Sequence, residues 1–387
     1  RLQYSATYYL CPGSNGRYPG TERALFLYAA TLNVIGWICA YSVEAQHMKR
    51  WVTLFIFLCI SAFSQAQEKV NVYVWGGEIP KDLIQKFERE TGIKVRFSTY
   101  DSNEILYAKL KAGGQGIYDV ILPSAYFVER MRKQGMLEPL DEAFLPNKKN
   151  LALTFQNNSY DPGNRYSVPL TWGITGLFYH QQQRPLKKWN QLWSTNLRHQ
   201  LLLLDDAREV FSMGLMSLGY SPNDENPEHI KKAFIHLKNL IPNIKLFASD
   251  SIQSIIIDED ATVGMAWNGD IFKAQAENPN IRFSFPQNGF VIWTDCLAIP
   301  KHPPHPKAAH IFINFMMRPD VAREIALQEG HAITNLAARK TLPEDIRNST
   351  LLYPSEEVLA RGYFQRDVSD AVLQLYGYYW QQLKLSF

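Results

Sequence analysis

Apolar residues alternate with polar ones at 70–75, and after Pro80 they recur every three to four residues. The first spacing is typical of a β-strand, and the second is typical of an amphipathic helix. The same order returns twice, with strands predicted at 93–98 and 118–122 and helices predicted at 102–112 and 123–135. Alternating strands and helices predict a mostly parallel sheet with right-handed crossovers.

A second run of strands and helices follows a loop-rich segment at 136–165. It opens with a strand at 166–171, and the four leucines at 201–204 predict a strand that is buried on both faces. Further strands are predicted at 261–266, 281–285 and 295–300, the last preceded by an apolar stretch at 290–294. Further helices are predicted at 228–240, 249–258, 269–276, 306–317, 320–328 and 366–385.

Two such runs in one chain predict two lobes with a cleft between them. We expect the chain to cross between the lobes at 171–173 and again at 294–295. The first lobe then comprises 67–171 and 295–339, and the second lobe comprises 172–294 and 340–387. Ligands bind at the carboxyl ends of the strands in open α/β sheets, so the side chains that follow the strands are the candidates for a site.

The segment before residue 67 has the pattern of a secretory signal. The first methionine is Met48, two basic residues and an apolar stretch follow it, and small residues precede a predicted cleavage site before Gln67. We therefore expect a signal peptide at 48–66 and an exported mature chain. Residues 1–47 are expected to be a non-native upstream segment read in frame, with a membrane span over the apolar residues 24–43 as the alternative.

The predicted mature chain carries no net charge, although the whole chain has 40 Lys and Arg residues against 37 Asp and Glu residues. Five of the basic residues and two of the acidic ones precede residue 67, which leaves 35 of each sign. A neutral chain offers no argument for nucleic-acid binding. Cys296 is the single cysteine after residue 66, so the mature chain can form neither a disulfide framework nor a thiolate zinc site.

The chain lacks the motifs of common catalytic and nucleotide-binding sites. It contains no G-x-S-x-G, no P-loop, no H-E-x-x-H and no G-x-G-x-x-G after a predicted strand. We therefore expect no catalytic residues, no cofactor and no bound metal. Carboxylate pairs beside tryptophans also suit glycosidases, so a carbohydrate-active enzyme is the enzymatic alternative.

Two carboxylates follow the four-leucine strand at the point where the helical spacing begins. Asp206 and Glu209 are three residues apart, so both lie on one face of the first helical turn. An Asp-x-x-Glu pair before an apolar run is also a helix capping box, with the aspartate at the N-cap. The pair is therefore interpreted either as a helix cap or as a site for a cation.

Aromatic and acidic residues recur just past the predicted strands. The aromatic ones are Trp75, Tyr126, Trp172, Trp267, Phe290 and Trp293, and the acidic ones are Glu78, Asp206, Glu209, Asp270 and Asp295. Aromatic faces attract ammonium groups and cover the methylenes between them, and carboxylates hold the ammonium ends. A wall of this composition, repeated around a cleft, predicts recognition of an organic polycation.

Several stretches of the chain resemble the spermidine/putrescine-binding proteins of polyamine ABC importers. They are FERETGIKVRFSTYDSNEILYAKLK, LLLLDDAREVF, GMAWNG, WTDCLAIP, INFMMRPDVA and TNLAARK, and the resemblance covers about residues 70–385. It implies an α/β, two-lobed periplasmic solute-binding fold of type II, in which each lobe is a mostly parallel sheet flanked by helices.

The resemblance also implies a function and a location. It implies a monomeric receptor in the periplasm of a Gram-negative bacterium that binds putrescine or spermidine, or both, between its lobes. The receptor would deliver this polyamine ligand to an ABC permease of the inner membrane and would bind no nucleic acid.

Ligand-binding roles are implied residue by residue. The resemblance implies an aromatic box of Trp75, Tyr126, Trp267 and Trp293, the acids Asp206, Glu209 and Asp295, and the polar residues Ser124 and Gln365. Three further positions depart from the spermidine-binding pattern and are included in the predicted site. Glu78 and His331 stand where that pattern has tyrosines, and Asp270 stands where the spermidine-preferring form has a serine and the putrescine-preferring form has an aspartate.

Gly76 also departs from the family pattern, in which a threonine stands at this position. The site has fewer aromatic residues and more acids than the spermidine-binding pattern, so the preferred ligand stays open within the cationic class. Two alternatives keep the fold: a receptor for another cationic solute, such as a guanidinium compound, and a polyamine sensor.

Overall fold

One mixed sheet of eleven strands runs through the computed structural model, which describes residues 67–387. The predicted upstream segment 1–47 and signal peptide 48–66 lie outside the described residues. The strands are β1 (Lys69–Trp75), β2 (Lys94–Tyr100), β3 (Val120–Ile121), β4 (Ser167–His180), β5 (Leu201–Leu203), β6 (Ile244–Phe247), β7 (Val263–Trp267), β8 (Ile281–Ser284), β9 (Phe290–Ala298), β10 (Ala332–Ile333) and β11 (Gly362–Phe364).

Parallel strands form both ends of this sheet. Eight of the eleven strands follow the order β2-β1-β3-β9-β4-β7-β5-β6, while β8 and β10 pair with β4 and β11 pairs with β9. In this order β1 pairs in parallel with β2 and β3, and β5 pairs in parallel with β6 and β7. Strands β4 and β9 lie between the two parallel groups and are antiparallel to each other. Each parallel group agrees with the predicted mostly parallel sheet, and the antiparallel pair joins the two groups.

The two predicted crossing points face each other in this antiparallel pair. Thr171 of β4 is in register with Asp295 of β9, and Gly173 is in register with Trp293. The pair therefore brings the centre of both strands to one place between the parallel groups. The boundaries of the two lobes stay a prediction.

Strand β4 has 14 residues and continues well past residue 171, where the hydrophobic pattern predicts its end. That prediction is wrong because glycine is usually a signal that a strand is interrupted, and Gly173 and Gly176 lie inside this strand. Both glycines make room for aromatic rings on neighbouring strands. A methyl group at Gly173 would lie 2.2 Å from the Trp293 indole, and one at Gly176 would lie 2.3 Å from the Phe283 ring.

Helices cover the faces of the sheet, and most begin or end at residues that suit those positions. They are α1 (Lys81–Thr91), α2 (Asn103–Lys109), α3 (Ala125–Lys133), α4 (Ala207–Ser217), α5 (Pro227–Lys238), α6 (Ile252–Ile257), α7 (Asn268–Glu277), α8 (Pro306–Met316), α9 (Pro319–Glu329), α10 (Leu336–Arg339), α11 (Glu344–Arg347), α12 (Glu356–Leu359) and α13 (Asp370–Leu385). Helix α1 ends at Gly92, whose φ of 72° lies in the left-handed region that favours glycine. The four-residue helices α10 to α12 are too short to leave a helical period in the sequence.

The parallel groups have separate apolar cores. Phe87 of α1 packs edge-on against Phe312 and Phe315 of α8 beside the first group, and Phe211 of α4 packs edge-on against Tyr376 of α13 beside the second. Within residues 67–387, no helix combines the length and the hydrophobicity that crossing a membrane requires.

Two of the aromatic residues predicted at strand ends belong to the core instead. Trp172 lies within β4 and packs near Phe155 and Tyr353, and Phe290 is fully buried at the start of β9. Alternation along a strand explains the difference, because neighbouring residues point to opposite faces of the sheet. Cys296 is buried on the core side for the same reason, since Asp295 before it points to the other face.

Candidate functional site

All twelve residues predicted to bind ligand line one cavity of about 420 Å³. They come from loops and element ends in both halves of the sheet: Trp75, Glu78, Ser124, Tyr126, Asp206, Glu209, Trp267, Asp270, Trp293, Asp295, His331 and Gln365. Most follow the carboxyl end of a strand, which is where open α/β sheets bind ligands. The exceptions are Trp293 and Asp295, which lie within strand β9, and His331, which directly precedes β10.

Strand β4 provides one side of the cavity with a regular series of neighbours. Thr171, Gly173 and Thr175 point to one face of the sheet and pair with Asp295, Trp293 and Trp267, respectively. Side chains opposite each other on paired strands are close enough to interact. The strand thus sets an acid and two indoles in a row, and Gly173 leaves the space that the Trp293 ring occupies.

The Asp206–Glu209 pair combines the two interpretations made from the sequence. Asp206 is the N-cap of α4, and its Oδ1 accepts a hydrogen bond of 2.9 Å from the Glu209 backbone N–H. The capping box does not close, because within residues 67–387 the Asp206 backbone N–H makes no hydrogen bond to the Glu209 side chain, and Glu209 Oε2 has no hydrogen-bond partner there. Asp206 therefore caps the helix, whereas the Glu209 carboxylate is available to a ligand.

Burial shifts the protonation of both acids. Burial and the neighbouring Asp206 carboxylate raise the pKa of Glu209 to about 8. Burial also raises the pKa of Asp206, although the helix N–H groups and the Arg208 guanidinium oppose the shift. The Arg208 guanidinium lies 5.1 Å from the Tyr126 ring centre.

A hydrogen-bond chain orients the acid at the centre of the cavity. Ser124 Oγ donates to Asp295 Oδ1 over 2.6 Å, and Asn103 Nδ2 donates to Ser124 Oγ and to the Tyr126 hydroxyl. Asn103 Oδ1 also accepts the Ser124 backbone N–H at 3.0 Å. Burial and the nearby Glu78 carboxylate raise the pKa of Asp295 well above its ordinary value.

A second acidic group lies around His331. The Thr171 hydroxyl donates to Glu78 Oε2 over 2.9 Å, and the Gln253 side-chain amide donates to Asp270 Oδ1 over 3.0 Å. Burial raises the pKa of Glu78 to about 8 and also raises the pKa of Asp270. Burial lowers the pKa of His331, which favours the neutral imidazole.

Indole rings line the cavity between these acids. Trp267 and Trp293 meet edge to face with ring centres 6.5 Å apart, and Trp75 is tilted against Tyr100 at 4.9 Å. The indole N–H groups of Trp75 and Trp293 have no hydrogen-bond partner in the described part of the chain. Such rings can cover apolar methylenes and attract ammonium groups at the same time.

The wall of the cavity is strongly acidic. Within residues 67–387, eight carboxylates and a single lysine, Lys273, contribute to it, and the acids are Glu78, Asp101, Asp206, Glu209, Asp250, Asp270, Asp295 and Glu329. Close carboxylates repel one another, and protonation or a bound cation relieves that repulsion. The arrangement can therefore hold an elongated organic cation with more than one positive charge.

Several lining residues were not predicted from the sequence. Asn103, Gln253, Lys273 and Glu329 belong to this group, and each lies on a helix whose pattern explains it as an ordinary surface or cap residue. Asn103 directly follows the N-cap Ser102, a position that carries no ligand-binding signal in the sequence. Among residues 67–387, no group of His, Cys, Asp and Glu side chains has the arrangement needed to hold a metal ion.

Comparison with known proteins decides the family. The model of the bacterial extracellular solute-binding protein family matches residues 82–350. The chain belongs to this family. The type II two-lobed fold of such proteins is therefore the fold of this chain, as the resemblance implied.

Curated relatives match most of the chain at high identity. The spermidine/putrescine-binding periplasmic protein of Escherichia coli K12 is 41% identical over 327 residues, which cover 84% of this chain and 94% of the relative. The putrescine-binding periplasmic protein SpuD of Pseudomonas aeruginosa is 32% identical over 348 residues and covers 84% of this chain and 95% of its own length.

A solved structure has the same architecture. A Listeria monocytogenes protein named for spermidine/putrescine ABC transport superposes with a TM-score of 0.81 at 35% identity. The match covers 83% of this chain and the whole of the Listeria chain. Members of this solute-binding family act as receptors of transport systems, and the relatives named for a location are periplasmic.

Proposed function

We propose that this protein is a periplasmic receptor that binds putrescine, spermidine or both in the cavity and delivers the polyamine to an ABC permease. The observation that carries the proposal is the cavity wall, in which eight carboxylates and five aromatic rings stand against one lysine within residues 67–387. The relatives that match most of the chain are named for the same ligands. We further propose that the receptor acts as a monomer after export.

The ammonium groups and the methylenes of a polyamine each have a suitable partner in the cavity wall. Its amines have pKa values near 10 and stay charged at neutral pH, so each ammonium group can take a carboxylate as its partner. The methylenes between them can lie against Trp293 and Trp267. In the proposed complex, Glu209 and Asp270 each offer a buried oxygen that has no partner among the described residues.

Calorimetric titration tests the proposal directly. We expect saturable binding of putrescine or spermidine to the mature chain, and strong weakening of that binding in the Glu209→Gln variant. Glu228→Gln, which changes an exposed acid at the start of α5, is the matched control and should bind like the wild type. The proposal is wrong if neither amine produces heat or a thermal shift.

A guanidinium compound is the second candidate ligand. Glu78 and Asp270 lie together at one end of the cavity, and two carboxylates suit the planar fork of a guanidinium group. A putrescine/agmatine-binding protein of Pseudomonas aeruginosa is 30% identical over 316 residues. Competition of agmatine against putrescine separates the two candidates, because tighter binding of agmatine would make the guanidinium compound the preferred ligand.

A further inference from the structure

His331 lies inside the acidic cavity rather than on its rim. Its Nε2 is 3.5 Å from Glu78 Oε1, and its Nδ1 has no hydrogen-bond partner in the described part of the chain. The ring meets Trp293 edge to face with centres 6.0 Å apart. The first turn of α7 packs against the imidazole on the Nδ1 side. The contact is so close that a methyl group added at Gly269 in this turn would lie 2.7 Å from His331 Nδ1.

Charged groups from three elements face this imidazole. Glu78 comes from the loop after β1, Asp270 and Lys273 come from α7, and Glu329 ends α9. Lys273 is also engaged elsewhere, since its Nζ donates to the Gln328 carbonyl over 2.7 Å. Three carboxylates therefore surround a histidine whose own charge depends on one proton.

That proton has the same effect on the surrounding acids as a ligand ammonium group. A protonated His331 is a cation beside Glu78 and Asp270, which is the place that a terminal ammonium group would take. Two cations this close repel each other, because burial of these side chains weakens the screening by solvent. A bound ammonium group and a proton on His331 therefore oppose each other, and ligand binding favours release of that proton to solvent.

We propose that His331 is a specificity-determining residue that sets how many ammonium groups the cavity accepts. This inference rests on the proposed polyamine-binding function. With a neutral imidazole, the acids around it take a terminal ammonium group, and a triamine fills both ends of the cavity. With a protonated imidazole, that end is already neutralised, and a diamine held at Glu209 and Asp295 is favoured over the triamine.

The ratio of spermidine affinity to putrescine affinity at two pH values tests this inference. Between pH 7 and pH 5, the range in which an imidazole with a lowered pKa gains its proton, we expect the dissociation constant of spermidine to rise about tenfold more than that of putrescine, because one extra proton competes with it. The His331→Gln variant should lose this difference. His229→Gln is the matched control, since His229 is also paired with a carboxylate, Asp224 at 2.8 Å, but lies outside the cavity.

Proton release provides a second readout that needs no variant. Titrations of wild-type protein in two buffers of different ionisation enthalpy should show more protons released by spermidine than by putrescine near pH 6. An affinity ratio that does not change with pH, or one that changes equally in His331→Gln, overturns the inference while leaving polyamine binding intact. Absence of binding to either amine at both pH values would instead overturn the proposed function and this inference with it.

Discussion

The two ends of the cavity hold their acids by different means. At the end formed by Asp206 and Glu209, which we name the cap end, both acids belong to the first turn of α4 and one of them is fixed by a backbone N–H. At the end formed by Glu78, Asp270 and His331, which we name the histidine end, each residue comes from a different part of the chain. Side chains such as Thr171 and Gln253 hold the acids there.

The two ends both carry two acids, but these acids are not held equally rigidly. The cap end inherits its geometry from the helix, so its acids stay in place when a neighbouring side chain is removed. The histidine end depends on hydrogen bonds between side chains, each worth about 0.5–1.5 kcal/mol. We therefore expect the cap end to supply most of the binding energy and the histidine end to supply the response to pH and ligand length.

The largest effect is expected from Gly173→Ala, which acts on both ends at once. The new methyl group would overlap the Trp293 indole and the Asn268 side chain, at 2.2 and 2.6 Å. The indole must then leave the row of Asp295, Trp293 and Trp267 that lies between the two ends of the cavity. Overpacking of this kind costs about 1–3 kcal/mol of stability. Calorimetry should show loss of polyamine binding, and a thermal melt should show a lower midpoint.

Gly377→Ala is the matched control for this substitution. A methyl group at Gly377 meets no atom within 4 Å, and the residue lies within helix α13. It should leave binding unchanged and should not lower the melting temperature, because alanine favours a helix more than glycine does. Wild-type binding by Gly173→Ala would contradict the role of the Trp293 ring.

Glu209→Gln should weaken binding more than Glu78→Gln does. The first change removes a charge from the cap end, where Glu209 Oε2 has no hydrogen-bond partner among residues 67–387, and a charged hydrogen bond contributes about 1.5–3 kcal/mol. Glu78 is partly satisfied by Thr171, so its loss costs less for a diamine. Dissociation constants of putrescine for the two variants measure the comparison, and equal losses would show that the ends contribute alike.

Stability of the ligand-free protein should fall as the pH rises. The folded-state pKa of Glu209 is about 8, above its ordinary value of 4.5, so the folded protein binds a proton that the unfolded chain has released between these values. The contribution is fully present below pH 4.5 and is lost as the pH rises through about 8. Melting temperatures at pH 5 and pH 8.5 should therefore differ less in Glu209→Gln than in the wild type.

Asp320→Asn is the control for that pH dependence because its shift has the opposite sign. Hydrogen bonds from Arg318 lower the pKa of Asp320 to about 2, so its contribution is lost only as the pH falls through that value. Between pH 5 and pH 8.5 this variant should keep the wild-type slope. A slope that is unchanged in Glu209→Gln would contradict the assigned protonation of the cap end.

The smallest effect is expected from Gln253→Ala at the histidine end. The change removes the amide that donates to Asp270 Oδ1 and should weaken spermidine binding by about 0.5–1.5 kcal/mol. Gln275→Ala removes a comparable amide bond to the Ile281 carbonyl, away from the cavity, and is the matched control. Equal affinities in the two variants would mean that Asp270 does not need its partner.

The same contrast explains what could be predicted from the sequence. The cap end is local: the four leucines, the two aspartates and Glu209 lie within nine residues, so periodicity alone places the acids at the end of a buried strand. Most helices and strands were predictable for the same reason. The ends of β4 were not, because the spaces that Gly173 and Gly176 provide are filled by rings from distant strands.

The histidine end could be predicted only in part from local patterns. Glu78 and Asp270 were noted as acids just past predicted strands, whereas His331, which is 253 positions from Glu78, was named only through the resemblance. Lys273 and Glu329, which complete the charges around His331, were missed because each looks like an exposed helical residue. The antiparallel pair brings these segments together, because β9 pairs with β3 of the first parallel group and β4 pairs with β7 of the second.

Alternation along β9 has a practical consequence for measurement. Cys296 faces the core next to the Tyr160 hydroxyl and is fully buried, so the single thiol of residues 67–387 is shielded from reagents in the folded state. A cysteine introduced at the exposed cavity residue Ser254 would then react alone with a fluorescent label. The fluorescence of this label would report ligand binding in the cavity, and Cys296 would not have to be removed.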